Sequence, residues 1–104
     1  MTHSSPVYQL ERIKDLVLLG CYRVTGAALS GAGELGLEED DVLECVDRLT
    51  LTDFCKTMES EFKAGLWQDV YRTTSCGFAV YVKMQIVDLA LPGEKAVIIS
   101  FKRL

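Results

Sequence analysis

From Phe78 to Val87 the side chains alternate without a break, with Phe78, Val80, Val82, Met84 and Ile86 on one parity and Ala79, Tyr81, Lys83, Gln85 and Val87 on the other. A period of two belongs to an extended strand with one buried face, because successive side chains of a strand point to opposite sides. Shorter runs of the same kind occupy Phe54 to Glu59, Leu66 to Arg72 and Ala96 to Lys102, separated by breaks around Lys63 to Gly65, Thr73 to Gly77 and Leu91 to Glu94. Connections this short join antiparallel neighbours, so the four runs predict a meander.

Upstream of Thr52 the period is helical. Leu10, Ile13, Leu16 and Val17 recur at helical spacing between Tyr8 and Leu19, with Leu19 extending the stripe and Gly20 as a C-terminal stop. Residues Cys21 to Thr25 are short and β-inclined. Gly26, Gly31, Gly33 and Gly36 then punctuate a small-residue stretch that predicts one brief, closely packed helix at Ala27 to Leu35. A further helix is expected from Glu38 to Leu49, acidic in its first turn and with Val42, Leu43, Val46 and Leu49 as its buried stripe. Helices followed by strands describe an α+β domain, an antiparallel sheet of four or more strands in the C-terminal half packed against N-terminal helices. At 104 residues there is room for one core, so 1–104 reads as a single domain.

Charge is divided unevenly along this plan. The net charge is −4, but residues 1–47 carry three Lys or Arg against nine Asp or Glu, and residues 48–104 carry eight against six. A phosphate-bearing partner therefore belongs on the strand half. Glu38, Glu39, Asp40, Asp41, Glu44 and Asp47 read as the solvated face of a helix. The apolar run Leu16 to Leu19 follows Glu11, Arg12, Lys14 and Asp15 and suits neither a signal peptide nor a membrane span, which points to the cytoplasm. Cys21, Cys45, Cys55 and Cys76 lack any C-x-x-C spacing and His3, the sole histidine, lies in a polar tail, so reduced thiols and no metal site are expected. Gly31, Ala32 and Gly33 lack the strand, lysine and hydroxyl that a phosphate loop requires.

The alternation also sorts polar side chains. Tyr81, Lys83 and Gln85 share the face turned away from Phe78, Val80, Val82 and Met84, and Lys102 opposes Phe101 on the last strand. A meander can bring Lys56, Gln68, Tyr81 and Lys102 together. The register is ambiguous, because strict alternation puts Lys56 beside Phe54 and Met58, and Gln68 beside Leu66 and Val70; a bulge would remove the conflict. Such a face suits metal-independent cleavage of RNA, which needs an aligned 2′-hydroxyl, cations on the phosphoryl oxygens and groups that move protons. Tyrosine and lysine, with ordinary pKa values of about ten, accept protons poorly, but clustered cations can lower a lysine and favour tyrosinate. With His3 alone in its tail, a paired-histidine mechanism is excluded. Without further information, exposed strand Lys and Tyr are ordinary solvated residues, and Trp67 and Tyr71 are core or sheet-edge aromatics.

Glu34-Leu35-Gly36-Leu37, Asp53-Phe54-Cys55-Lys56-Thr57-Met58, Trp67-Gln68-Asp69-Val70-Tyr71-Arg72, Val80-Tyr81-Val82-Lys83 and Ile98-Ile99-Ser100-Phe101-Lys102 resemble, in order and spacing, the MqsR family of small bacterial toxins. The resemblance covers nearly the whole chain, and the Trp-Gln-Asp-Val-Tyr-Arg run is its most specific part. It implies a RelE-like fold, mRNA interferase activity without a cofactor, and silencing by an MqsA-type antitoxin that carries its own zinc site and a helix-turn-helix DNA-binding domain. It also implies that Lys56, Gln68, Tyr81 and Lys102 form the active site; Arg72 and Lys83, cations in the same motifs, are expected as further RNA-binding residues. On that basis Tyr81 or Lys56 handles the 2′-hydroxyl proton, Lys102 stabilises the phosphate and Gln68 orients the RNA. Two departures stand out: Cys55 occupies a place where relatives carry tyrosine, and the chain is acidic overall where well-known relatives are basic. The acidity supports an alternative, a catalytically weak antitoxin-binding module that regulates its own operon.

Overall fold

A computed structural model describes residues 2–3, 5–88 and 93–104, with side chains from residue 5 onward. Its elements in chain order are β1 (Thr2–His3), α1 (Leu10–Leu18), β2 (Tyr22–Val24), α2 (Gly26–Glu34), α3 (Glu39–Arg48), a 3-10 turn at Leu51–Asp53, β3 (Phe54–Glu59), β4 (Trp67–Ser75), β5 (Phe78–Asp88) and β6 (Glu94–Arg103). The strands form one sheet in the order β1-β3-β4-β5-β6-β2. The expected meander β3 to β6 is antiparallel throughout. It gains a strand at each edge: β1 pairs antiparallel with β3, and β2 pairs parallel with β6, making the sheet mixed. The supposed polar tail at His3 is thus part of an edge strand. The expected break at Thr73 to Gly77 shrinks to a tight turn at Cys76 and Gly77, because β4 runs on to Ser75. Leu91 and Pro92 of the break expected from Leu91 to Glu94 lie outside the described residues, and Glu94 already belongs to β6.

Both glycine-stopped helices end by the same chemistry. After α1, Gly20 adopts φ 79°, its N–H bonds the Val17 carbonyl at 3.0 Å, and the Cys21 N–H bonds that of Leu16 at 2.8 Å. This is a Schellman closure, which needs a left-handed residue and explains why glycine stands there. It also corrects the sequence reading of Leu19, which caps the helix and is 71% exposed rather than continuing the buried stripe Leu10, Ile13 and Leu16. Gly36 repeats the arrangement after α2. The helix α3 starts on a capping box between Glu38 and Asp41, and its acids Glu39 and Asp40 lie in the first turn, where the helix dipole favours them.

The helices cover one sheet face. Ile13, Leu16, Ala28, Ala32, Val42, Val46 and Leu49 are buried in one cluster with Tyr71, Val80, Val82, Met84, Ile98 and Phe101. Small residues bring α2 close to β6: Ala28 and Ala32 are fully buried, and a Cβ on Gly31 would fall inside the van der Waals envelope of the Phe101 carbonyl oxygen. A bulge at Ile99 interrupts the β5–β6 register between Ser100 and Ile98. The Thr25 hydroxyl donates to the Ile99 carbonyl at 2.7 Å and accepts from the Ala28 N–H at 3.1 Å. One side chain therefore caps α2 and docks it on the bulge.

This packing separates two glycines of the same helix. Gly31→Ala should destabilise the protein by about 3 kcal/mol, the upper part of the overpacking range, because the obstacle is backbone. Gly33→Ala, with nothing within 4 Å of its added Cβ, should stabilise by about 0.5–1 kcal/mol through lost unfolded-state freedom. Urea midpoints of the two variants check this, and equal shifts would contradict the close approach of α2 to β6.

Candidate active site on the open sheet face

The face without helices is built by register. Lys56 pairs with Val70, Val70 with Lys83 and Lys83 with Ser100, forming one row across β3 to β6. Beside it, Arg72 pairs with Tyr81 and Tyr81 with Lys102. On the other side, Met58 pairs with Gln68, and Gln85 with Val97. All six residues named from the sequence thus share a face. The conflict at Lys56 is removed by a bulge at Cys55: Phe54 pairs with Tyr71 and turns into the core, and after the extra residue Lys56 turns outward. Gln68 shares the open face with Val70 as the sequence implied, and Leu66 lies before the strand.

Spacing distinguishes the six. Rows two residues apart are separated by about 7 Å and neighbouring strands by about 4.8 Å. Lys83 and Tyr81 are then one row apart on the same strand, with Lys56, Arg72 and Lys102 around them. The backbones of Lys56 and Lys102 are about 16 Å apart, a width that long side chains can close from both edges. Gln68 stands two rows from Tyr81, about 14 Å away on this reckoning, and is buried. The structure therefore assembles Lys56, Arg72, Tyr81, Lys83 and Lys102 as one group and holds Gln68 at its end.

The group is cationic, with the Glu61 carboxylate as a nearby opposing charge. Among the described residues the ion pairs are Arg12 with Glu94 at 2.7 Å and Arg48 with Glu44 at 3.4 Å, neither of them on this face. The Lys102 ammonium lies 4.9 Å from the centre of the Tyr81 ring, a cation–π contact. Burial lowers the pKa of Lys83; repulsion from Lys102 and Lys56 lowers it further, and the Glu61 carboxylate opposes them. Clustered cations thus help to loosen a lysine there, second to burial. The companion expectation for tyrosine is corrected: burial raises Tyr81, the neighbouring Cys55 adds to this, and Arg72 only partly offsets them, so tyrosinate is disfavoured. At neutral pH the Tyr81 hydroxyl keeps its proton and can donate it.

Other residues of the specific run Trp67 to Arg72 serve the fold. Asp69 is fully buried toward the helices and accepts from the N–H groups of Val7 at 3.1 Å and Tyr8 at 2.9 Å. Tyr8 in turn donates to the Trp67 carbonyl at 2.7 Å, so the segment entering α1 is bound to β4. Tyr71 packs in the core, where burial, with Asp69 nearby, pushes its pKa up to about 12. Among the described residues no three His, Cys, Asp or Glu side chains converge as metal ligands would. Sequence reasoning overlooked Glu61, whose charge reaches Lys83 from the β3–β4 connection. Nothing in strand periodicity marks a loop residue of this kind.

Comparison with known proteins adds to this geometry. The family model described as "Motility quorum-sensing regulator, toxin of MqsA" matches residues 5–103. The chain belongs to this toxin family. It is 34% identical over 102 residues to the mRNA interferase toxin MqsR of Escherichia coli (strain K12), with 98% of each chain covered. No described helix is long and apolar enough to cross a membrane.

The state of Tyr81 is directly measurable in this family member. Ultraviolet titration of the tyrosinate band should show the Tyr81 step above pH 10, the ordinary value. Comparing wild type with Tyr81→Phe isolates that step. A step below pH 10 that the substitution removes would mean that the cations outweigh burial.

Proposed function

We propose that this protein is the toxin of a type II toxin–antitoxin pair, an endoribonuclease that cuts messenger RNA in the cytoplasm and is silenced by a cognate MqsA-like antitoxin, a zinc-binding, helix-turn-helix protein. Family membership supports the class of activity. The observation that carries the mechanism is the group of cations around Tyr81 on one sheet face. Cleavage proceeds by attack of the 2′-oxygen on phosphorus. The bond from phosphorus to the 5′-oxygen breaks, the 2′-proton passes to a base, and the departing 5′-oxygen takes a proton from an acid, leaving a 2′,3′-cyclic phosphate and a 5′-hydroxyl. Lys102 and Arg72 offset charge on the phosphoryl oxygens, a task the protein's own cations perform without a metal. Tyr81, held protonated, is the acid. The base is an amine of the Lys56 and Lys83 pair, and Lys83 is the one whose proton is loosened by burial and by its neighbours. Gln68, at the end of the face, orients the strand.

Purified protein should cut a long unstructured RNA at selected sites in excess chelator. Tyr81→Phe should lose about 10²-fold or more, the scale of a lost general acid, and Lys56→Ala, prepared identically, should also lose activity, because Lys56 is a cation of the phosphate face that helps to lower Lys83. Because the base must be unprotonated, the rate should climb with pH and level off below the ordinary lysine value of 10.5, Lys83 having been lowered from it. Lys83→Arg keeps the charge but cannot accept a proton, so it should lose the rate while retaining RNA binding; an active Lys83→Arg would assign the base to Lys56. No cutting, or equal cutting by all variants, would favour the antitoxin-binding module suggested by the acidic N-terminal half.

A further inference from the structure

Residues 60–66, which connect β3 to β4, form an ordered loop. The Ser60 N–H bonds the Leu66 carbonyl at 2.8 Å, the Leu66 N–H bonds that of Lys63 at 3.3 Å, the Phe62 N–H bonds the Ser60 hydroxyl at 3.2 Å, and the Gly65 N–H bonds the Glu59 carboxylate at 3.0 Å. Within it Phe62 is 95% exposed, the highest value for a large apolar side chain among the described residues. A solitary exposed apolar side chain needs no explanation in itself. This one is distinguished by its position. The loop leaves β3 just after Met58 and returns just before Gln68, a cross-strand pair on the open face. The charge of Glu61, beside Phe62 in the chain, acts on Lys83 at the centre of the cationic group. Gln68 is 9% exposed and Val70 fully buried, although neither belongs to the core cluster beneath the helices. The loop therefore borders the cationic group at its Gln68 end.

The open face otherwise offers little ring surface. Tyr81 has the Lys102 ammonium over its ring. Tyr71 and Phe54 turn into the core and pack edge to face with ring centres 5.6 Å apart. Phe62 projects both faces of its ring into solvent from a loop already ordered by its own hydrogen bonds, so little ordering remains to be done on binding. Proteins that hold single strands combine cations along the backbone with an aromatic platform for a base. Phe62 stands between Glu61 and Lys63, whose charges balance, so the loop offers phosphate no net attraction and an uncharged base is the group it suits.

We propose that Phe62 is a stacking platform for one unpaired nucleobase of the RNA, flanking the phosphate held by the cationic face on its Gln68 side. The proposal rests on reading that face as the RNA site, and it makes the protein selective for single strands, because a base in a duplex has no free face to offer.

The test uses the full chain and a fluorescent 2′-O-methyl RNA, whose blocked 2′-oxygens prevent cleavage, as a single strand and annealed to its complement. Binding is followed by anisotropy for wild type, Phe62→Ala, Phe62→Trp and Lys102→Ala. Phe62→Ala should weaken single-strand binding about tenfold, within the range of one stacked base, with Phe62→Trp restoring it and the duplex unaffected. The melting temperature should not change, since the ring packs on nothing that is lost. Wild-type affinity in Phe62→Ala, with Lys102→Ala weakened, would overturn stacking and leave the RNA face standing. An equal loss on single strand and duplex would also overturn it. If the wild type fails to bind either RNA, the RNA face and the stacking proposal fall together.

Discussion

Sealing one face of the sheet with helices is the constraint on which everything else in this molecule depends. Once Val80, Val82 and Met84 of β5 are buried beneath α1, α2 and α3, the pleat leaves Tyr81, Lys83 and Gln85 only the opposite side. Neighbouring strands inherit that choice through their pairing: Arg72 and Lys102 lie next to Tyr81, and Val70 and Ser100 next to Lys83. The cationic face is thus a consequence of core burial, and its side chains need no contacts of their own to be brought together. A one-residue slip would send Lys83 into the helices and Val82 into water, so the energy of core burial also guards the site.

The two bulges show where alternation fails and why. At Ile99 the extra residue frees a carbonyl that Thr25 takes up, which couples the sheet irregularity to the start of α2. At Cys55 it allows Phe54 to meet Tyr71 in the core while Lys56 faces outward. Strict periodicity cannot foresee the second, because Phe54 and Lys56 have the same parity and incompatible environments. That conflict was readable in the chain; the position of its resolution was not. The meander and the three helices were legible because each carries several apolar residues at one spacing. The parallel pairing of β2 was not, since three residues such as Tyr22 to Val24 fit either edge and either direction. The direction of the Tyr81 shift was equally hidden: nearby cations are visible in a sequence, whereas burial, which outweighs them, is a property of the assembled sheet.

Overall acidity and a cationic site coexist by separation. The acids of α3 at Glu38, Glu39, Asp40, Glu44 and Asp47 are exposed on the helical layer, across the sheet from Lys56, Lys83 and Lys102. Screening in physiological salt falls off over about 8 Å, so charges on the far side of a two-layer domain weaken little of the local field at the open face. Net charge governs encounter from a distance and affinity follows the nearest charges, which is why a value of −4 for the chain does not contradict a phosphate-binding surface. It does imply a slower approach of RNA than to a basic protein.

The run Trp67-Gln68-Asp69-Val70-Tyr71-Arg72 is informative because both of its faces are constrained. Gln68, Val70 and Arg72 face the cations; Asp69 and Tyr71 face the core, where Asp69 binds the entry of α1 through two backbone N–H groups. An acid in the middle of a proposed phosphate site would look misplaced in a linear sequence. Parity resolves this by turning its carboxylate away from Lys56 and Lys83 and giving it hydrogen bonds that leave it no need of a cation. Glu61 is the acid whose charge reaches Lys83, and it does so from a loop rather than from the sheet. A carboxylate there raises the lysine's pKa and competes with RNA phosphate for the same ammonium. If the strand displaces that influence as it binds, the amine loses one stabilising neighbour as it gains the phosphate, so its proton affinity changes less on binding than it would beside phosphate alone.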